Sequence, residues 1–311
     1  MKLTRRDALR SALGLGTGAA VALGAQVATA SPKEPKSSAQ APIGLLYDAT
    51  RCIGCKACVI HCQQANGLEP DTELSGGLHL MPTDLSCKTK NIIKLYQAPD
   101  SEEHSFIKRQ CMHCAEPACA SGCPFHALEK DPVTGIVGWD GSKCIGCRYC
   151  EIVCPFEIPK FEWDKFNPKV VKCELCRHLL ADGKEQPACT ACCPTGAVLF
   201  GKREDLLADA KGRIEASPGK YFEERVYGEH EAGGTQVLYL SGVAFEKLGL
   251  PKLPTQSLPE YANRYHRMIY QWMALPAAIY VGMAAVIQRR FKKHDEEAQA
   301  IEEAGGPRDQ L

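Results

Sequence analysis

The sequence has no net charge, its 37 lysines and arginines matching 37 aspartates and glutamates. That balance leaves no basic footprint for a nucleic acid, and no RNA- or DNA-binding signature occurs. No Cys-x-x-Cys-His is present, which excludes c-type haem attachment. No convincing nucleophile and base stand together, so nothing in the sequence points to a catalyst. Gly14, Gly16 and Gly18 do not form a phosphate-binding loop, because no strand precedes them. The stretch from Gly201 to Pro259 has no cysteine, although the chain as a whole has 18. So many cysteines leave three explanations: a disulfide scaffold, zinc sites or iron–sulfur clusters.

Both ends carry addresses. Thr4-Arg5-Arg6 precedes a mildly apolar, Gly- and Ala-rich run from Ala12 to Val27, and Ala28-Thr29-Ala30 offers a cleavage site before Ser31. This order predicts a twin-arginine signal peptide over residues 1–30. A linker follows at 31–42. Near the other end, Met268 to Ile287 contains no charged residue and matches a bilayer crossing in length. Tyr265, Tyr270 and Trp272 supply an interfacial aromatic belt, and Arg289, Arg290, Lys292 and Lys293 follow at once. The positive-inside rule then puts the tail, 288–311, in the cytoplasm and the preceding domain in the periplasm. The competing reading of 268–287 is a buried core helix.

The cysteines fall into four runs. Cys52, Cys55, Cys58 and Cys62 are spaced C-x2-C-x2-C-x3-C, and Cys144, Cys147, Cys150 and Cys154 repeat that spacing. Cys111, Cys114, Cys119 and Cys123 read C-x2-C-x4-C-x3-C, and Cys173, Cys176, Cys189 and Cys193 read C-x2-C-x12-C-x3-C. Three close thiolates on a tight loop can hold three irons of one cubane, while the fourth cysteine points away to a neighbouring cluster. Gly54 and Gly146 permit the tight turn. Pro124, Pro155 and Pro194 set the chain direction after the last ligand; the first run has Gln63 there instead. Cysteines this close make poor disulfide partners. A zinc ribbon using Cys173, Cys176, Cys189 and Cys192 fits the fourth run alone.

The runs form an internal repeat of order A-B-A-B. The two A runs share Cys-Ile-Gly-Cys-x-x-Cys. The two B runs share Pro-Ala-Cys and then Cys-Pro-x-x-Ala followed by an apolar residue, at Cys123–Leu128 and Cys193–Val198. The repeat selects Cys193 over Cys192, which aligns with Gly122. Cys87 and Cys192 thus fall outside the sets. Each A loop needs a B loop opposite it, either in sequential pairs or with one pair nested inside the other. His61 and His113 read as packing or supporting residues, and Lys56 and Arg148 as solvated or potential-tuning cations. Glu204–Ala216 has helical periodicity, Thr235–Leu240 reads as a strand, and Pro251, Pro254 and Pro259 mark a linker.

These motifs, together with YDATRCIGCKACVIHCQQAN, GIVGWDGSKCIGCRYCEIVCPFEIP and the tail, resemble the four-cluster iron–sulfur subunits of molybdopterin oxidoreductase and hydrogenase complexes. The resemblance covers about residues 43–287. It implies an α+β fold of two ferredoxin-like modules over 43–200 binding four 4Fe–4S clusters, a covering and docking extension over 201–260, and a single transmembrane helix over 268–287. It also implies nested ligand sets. Cys52, Cys55 and Cys58 take Cys193; Cys173, Cys176 and Cys189 take Cys62; Cys111, Cys114 and Cys119 take Cys154; Cys144, Cys147 and Cys150 take Cys123.

An export signal of its own and one C-terminal helix make the chain most similar to hydrogenase-2-type subunits. The implied function is a non-catalytic relay. It carries electrons from the small and large subunits of a periplasmic nickel–iron hydrogenase to an integral-membrane quinone-reactive subunit, at the periplasmic face of the inner membrane. Export by the twin-arginine machinery suits a protein that receives its clusters before crossing. The segment Val226–Gly242 also resembles formate dehydrogenase subunits, so a formate dehydrogenase or another molybdopterin oxidoreductase is the alternative partner.

Overall fold

In a computed structural model the described residues are 41–69, 82–99, 103–163, 165 and 168–303. The expected signal peptide, the linker as far as Gln40 and the end of the tail (304–311) lie outside them.

The elements are short, as a chain wrapped around many cysteine loops requires. In order they are β1 (Ile43–Asp48), α1 (Ala57–Ala65), β2 (Asn91–Gln97), β3 (His104–Gln110), α2 (Ala118–Ser121), β4 (Leu128–Lys130), β5 (Val137–Trp139), α3 (Tyr149–Ile152), β6 (Lys160–Phe161), β7 (Val170–Val171), α4 (Arg177–Ala181), α5 (Ala188–Ala191), β8 (Val198–Lys202), α6 (Arg203–Ala216), β9 (Val237–Leu240) and α7 (Leu258–Glu303). Helices and antiparallel ribbons mix throughout, so the fold is α+β.

Strand pairing settles how the cysteine runs are arranged in space. β1, which leads into the first run, pairs antiparallel with β8, which leaves the fourth. β4, which leaves the second run, pairs antiparallel with β5, which leads into the third. Outer runs therefore meet outer, and inner meet inner. The helices agree: α1 packs on α5, and α2 on α3. Of the two arrangements open at the level of spacing, the backbone is nested.

β1 is the hinge of the core. Its partner on the other side is β9, in parallel, giving the sheet order β8-β1-β9. Side chains alternate along a strand. Leu45 and Tyr47 face the core that contains Cys58, Cys173 and Cys189, while Leu46 faces a separate core made with α6. Leu206, Ala210 and Ile214, four residues apart, form the buried stripe of α6. An ion pair ties that helix down: Arg213 Nη1 lies 3.0 Å from the carboxylate of Asp48, which is wholly buried and also accepts from Thr50 Oγ1 at 2.6 Å. The helix expected at Glu204–Ala216 is thus present. The strand expected from Thr235 begins at Val237, because the Thr235 hydroxyl turns back to donate to the Val237 carbonyl at 2.7 Å.

α7 starts at Leu258, earlier than the apolar run alone suggests. The Ser257 hydroxyl accepts from the Glu260 N–H at 3.3 Å and donates to the Glu116 carboxylate, so the helix springs from the inner B loop. Pro259, expected in a linker, sits in the first helical turn, where its missing N–H is not needed. Among the described residues α7 is the one helix long and apolar enough to cross a membrane, and none of its most apolar stretch is buried. That exposure excludes the core-helix reading.

Candidate cluster-binding site

Each A loop takes the same backbone path. Gly54 and Gly146 have φ of 68° and 72°, and the residues after the second cysteine, Lys56 and Arg148, have φ of 58° and 64° and begin α1 and α3. The B loops repeat a different pattern, with His113 and Leu175 both at φ 49° just before a cysteine. Left-handed backbone at non-glycine residues is strained, and it recurs where the surroundings hold the chain to a task. Here it recurs at matching positions of both A loops and of both B loops.

All 18 cysteines are free thiols, so the disulfide framework is absent. Two hollows are each bounded by three cysteines of one loop and a fourth from another. One is lined by Cys52, Cys55, Cys58 and Cys193. The other is lined by Cys123, Cys144, Cys147 and Cys150. Electrostatic contacts group the rest. Cys62 faces Cys173, Cys189 and Cys176. Cys114 faces Cys111, Cys154 and Cys119. Among the described residues no three His, Cys, Asp or Glu side chains converge closely enough for a single metal ion. Tetrahedral zinc draws its thiolates to about 2.3 Å from one centre; these sets are spread more widely, around a hollow. A four-iron cubane, which takes one thiolate at each corner, suits that spread.

Neighbouring sets also lie within electrostatic reach of one another. Cys189 of the second set faces Cys58 of the first. Cys111 of the third faces Cys173 of the second, and Cys119 of the third faces Cys150 of the fourth. The order along the molecule is first, second, third, fourth.

Burial governs the free thiols. Desolvation pushes Cys58, Cys62, Cys119, Cys150 and Cys189 up to about 12, and Cys111 up to about 11. Such thiols keep their protons until a metal displaces them, so loading the sites releases protons. Cys123 and Cys193 behave differently. Burial pushes each upward, but backbone N–H groups outweigh it and both end below the usual thiol value. The donors belong to the turn that follows Cys-Pro. The fourth residue of the turn, His126, Glu157 or Gly196, has φ between 51° and 61° in all three copies, which brings later N–H groups back over the sulfur. The Ala127 N–H lies 3.3 Å from Cys123 Sγ. At Cys154 the same donors, from Ile158, Phe156 and Glu157, do not overcome burial, and its thiol stays raised. Cys62 has no proline after it and continues along α1. The Asn66 side-chain amide stands in, 3.6 Å from the sulfur.

Cys192 lies outside the sets in backbone terms as well. It ends α5 with φ −97° and ψ 0°, as Gly122 ends α2 with φ −83° and ψ −1°, and its thiol donates to the Cys189 carbonyl at 3.6 Å. His113 is buried, and its Nδ1 accepts from the Val137 N–H at 2.9 Å; His61 is exposed. Arg148 stacks 4.1 Å above the Trp163 ring. Two buried lysines, Lys108 and Lys172, went unnoticed in the sequence. Their signal was faint: Lys108 shares a strand face with Phe106 and Gln110, and that spacing does not say that the face is buried.

Comparison with known proteins agrees with this geometry. A family model described as a 4Fe-4S dicluster domain matches residues 102–203. The chain is 38% identical over 329 aligned residues to the Hydrogenase-2 operon protein HybA of Escherichia coli O157:H7, covering 94% of this chain and 98% of that protein. It is 34% identical over 221 residues to the nitrate-inducible formate dehydrogenase iron-sulfur subunit of Escherichia coli K12, covering 69% of this chain and 74% of that one. To the formate dehydrogenase iron-sulfur subunit of Haemophilus influenzae it is 35% identical over 219 residues, covering 68% and 69%.

Proposed function

Because the chain belongs to the family of the Hydrogenase-2 operon protein HybA, iron–sulfur electron-transfer subunits related to those of formate dehydrogenases, we propose that it is the four-cluster relay between a periplasmic nickel–iron hydrogenase and a quinone-reactive membrane subunit. The observation that carries the reading is the meeting of each three-cysteine loop with one crossing cysteine from another loop. Cys193, Cys62, Cys154 and Cys123 are the crossing ligands of the first to fourth sets. They link two ferredoxin-like modules within 43–200. When bound, each 4Fe–4S cluster supplies a one-electron couple.

The protein's own residues do the rest. N–H groups of the Cys-Pro turns point at sulfurs that become negative. The cores around Tyr47 and Val137 exclude water. α7 anchors the relay: its apolar stretch crosses the inner membrane, with the basic residues from Arg289 onward on the cytoplasmic side and the cluster domain in the periplasm. Residues 1–30 are the twin-arginine signal that takes it there, 31–42 a linker, and 201–260 the extension that covers the cluster domain and meets partners.

The hydrogenase is favoured because the similarity to HybA runs over nearly the whole of both chains, whereas that to the formate dehydrogenase subunits covers 69% and 68% of this one. The identity to those subunits supports a second reading, with a molybdopterin enzyme as the electron donor. Anaerobic purification of the tagged full-length chain from membranes separates the two. We expect nickel to co-purify and hydrogen gas to bleach the visible iron–sulfur absorbance. Co-purified molybdenum with bleaching by formate, and none by hydrogen, would overturn the hydrogenase assignment.

A further inference from the structure

Lys108 is wholly buried on β3. Its ammonium donates to the side-chain carbonyl of Gln110, a neutral group. Among the described residues no carboxylate forms an ion pair with it. Removing an ammonium from water without an answering charge is costly, so a charged lysine at this depth needs a counterion. Phe106, two residues away on the same strand face, packs its ring against Gly54 of the first loop, and the thiols within electrostatic reach of the ammonium are those of Cys189, Cys58, Cys173 and Cys62. One belongs to the first set and three to the second. Once a cluster holds them as thiolates, these four sulfurs supply the negative charge that answers the buried ammonium. The fourth set offers a contrast. Its nearby cation, Arg148, lies over the exposed Trp163 at the surface, where water and salt screen charge.

We propose that Lys108 is a fixed buried positive charge shared by the first and second clusters, raising the reduction potential of both. Each one-electron reduction adds a negative charge to a site that water does not reach. A cation already in place, and needing no reorganisation, offsets that added charge. The inference rests on the four-cluster reading and assigns one residue an electronic role within it.

The test is a redox titration followed by electron paramagnetic resonance on the full-length protein, unchanged and with Lys108→Met, Lys108→Gln and Lys108→Arg. Iron is counted in every sample. The neutral variants should keep their iron while two of the four signals become at least tenfold harder to reduce, a downward shift of about 59 mV for a one-electron couple. The other two should stay in place, and Lys108→Arg should restore most of the shift. If the neutral variants lose iron and the Arg variant keeps it, the charge is needed even to hold the clusters, which supports the proposal. Full iron with no shift would overturn it, as would equal iron loss in all three variants, which makes the residue structural. Iron far below about sixteen per chain in the unchanged protein would instead contradict the four-cluster reading itself.

Discussion

The loops at Cys52–Cys62 and Cys144–Cys154 open with the same four residues and fold alike, yet lie in different surroundings. Both set a glycine and then a basic residue at positive φ, and both leave the isoleucine between their first two cysteines outside, with 60% of Ile53 and 58% of Ile145 exposed. Beyond the third cysteine they part. The first continues into nine helical residues with Cys58, Val59, Cys62 and Gln63 buried; the second stops after four, none of them buried. The chain around the first closes over it: Asn91 Nδ2 donates to the Cys58 carbonyl at 3.3 Å, and Gln63 Nε2 to the Lys88 carbonyl at 3.2 Å. At the second, Arg148 stacks on Trp163, which is itself 63% exposed. A short cysteine motif therefore specifies the path of its own loop, while strands distant in sequence decide how dry that loop becomes, and with it how costly an added electron is.

The largest expected effect breaks one of the four sets. Cys193→Ala should remove the cluster of the buried first loop, about a quarter of the iron, whereas Cys192→Ala next to it should remove none; equal losses would mean that the crossing ligand has been misassigned. Glycine replacement comes next. A methyl group at Gly54 would stand 2.3 Å from the Phe106 ring, and one at Gly146 would stand 2.8 Å from the Pro168 ring, both at positive φ. The buried loop has less room to yield. Gly54→Ala should cost about 3 kcal/mol and Gly146→Ala about 1–2 kcal/mol, as strain plus overpacking, measured by denaturant unfolding of the loaded protein. Equal costs would remove the contrast between the loops.

A third effect separates the two B loops. His113 and Leu175 occupy equivalent left-handed positions, but only the first titrates. Burial, then the positive Lys172 and Lys130, hold His113 well below the ordinary histidine value of 6.5. A depressed folded pKa means that the unfolded chain takes the proton more readily. The stability from neutral His113 is therefore present above pH 6.5 and is lost as pH falls below it. Unfolding midpoints between pH 7 and pH 5 should fall more steeply for the unchanged protein than for His113→Gln, whose side-chain carbonyl can still accept from Val137; parallel curves would show that another group carries the acid sensitivity. The smallest effect lies at the exposed loop. Trp163→Ala should cost about 0.5–1 kcal/mol through the lost stacking with Arg148, and a larger loss in unfolding experiments would show that loop to be less open than its exposure indicates.

What could be read in the sequence follows from the same division between local and distant causes. Spacing revealed the four runs, and the Cys-Pro-x-x-Ala repeat pointed to Cys193 rather than Cys192, because each run is written within at most 21 neighbouring residues. The helix at Glu204–Ala216 was visible because its apolar stripe has a period. Spacing left sequential and nested pairing open, since β1 meets β8 across some 150 residues of chain. Lys108 was invisible for the same reason: a lysine on a strand reads as solvated until the thiols of three other segments are seen around it. The extent of α7 was missed through Pro259, which marks a break in most contexts but is harmless in a first helical turn.

The central claim is that sixteen of the 18 cysteines hold four cubanes in a line. Iron and acid-labile sulfide, counted per chain in full-length protein purified without oxygen, test it most directly. The account predicts about sixteen of each; about eight of each, or stoichiometric zinc, would contradict it.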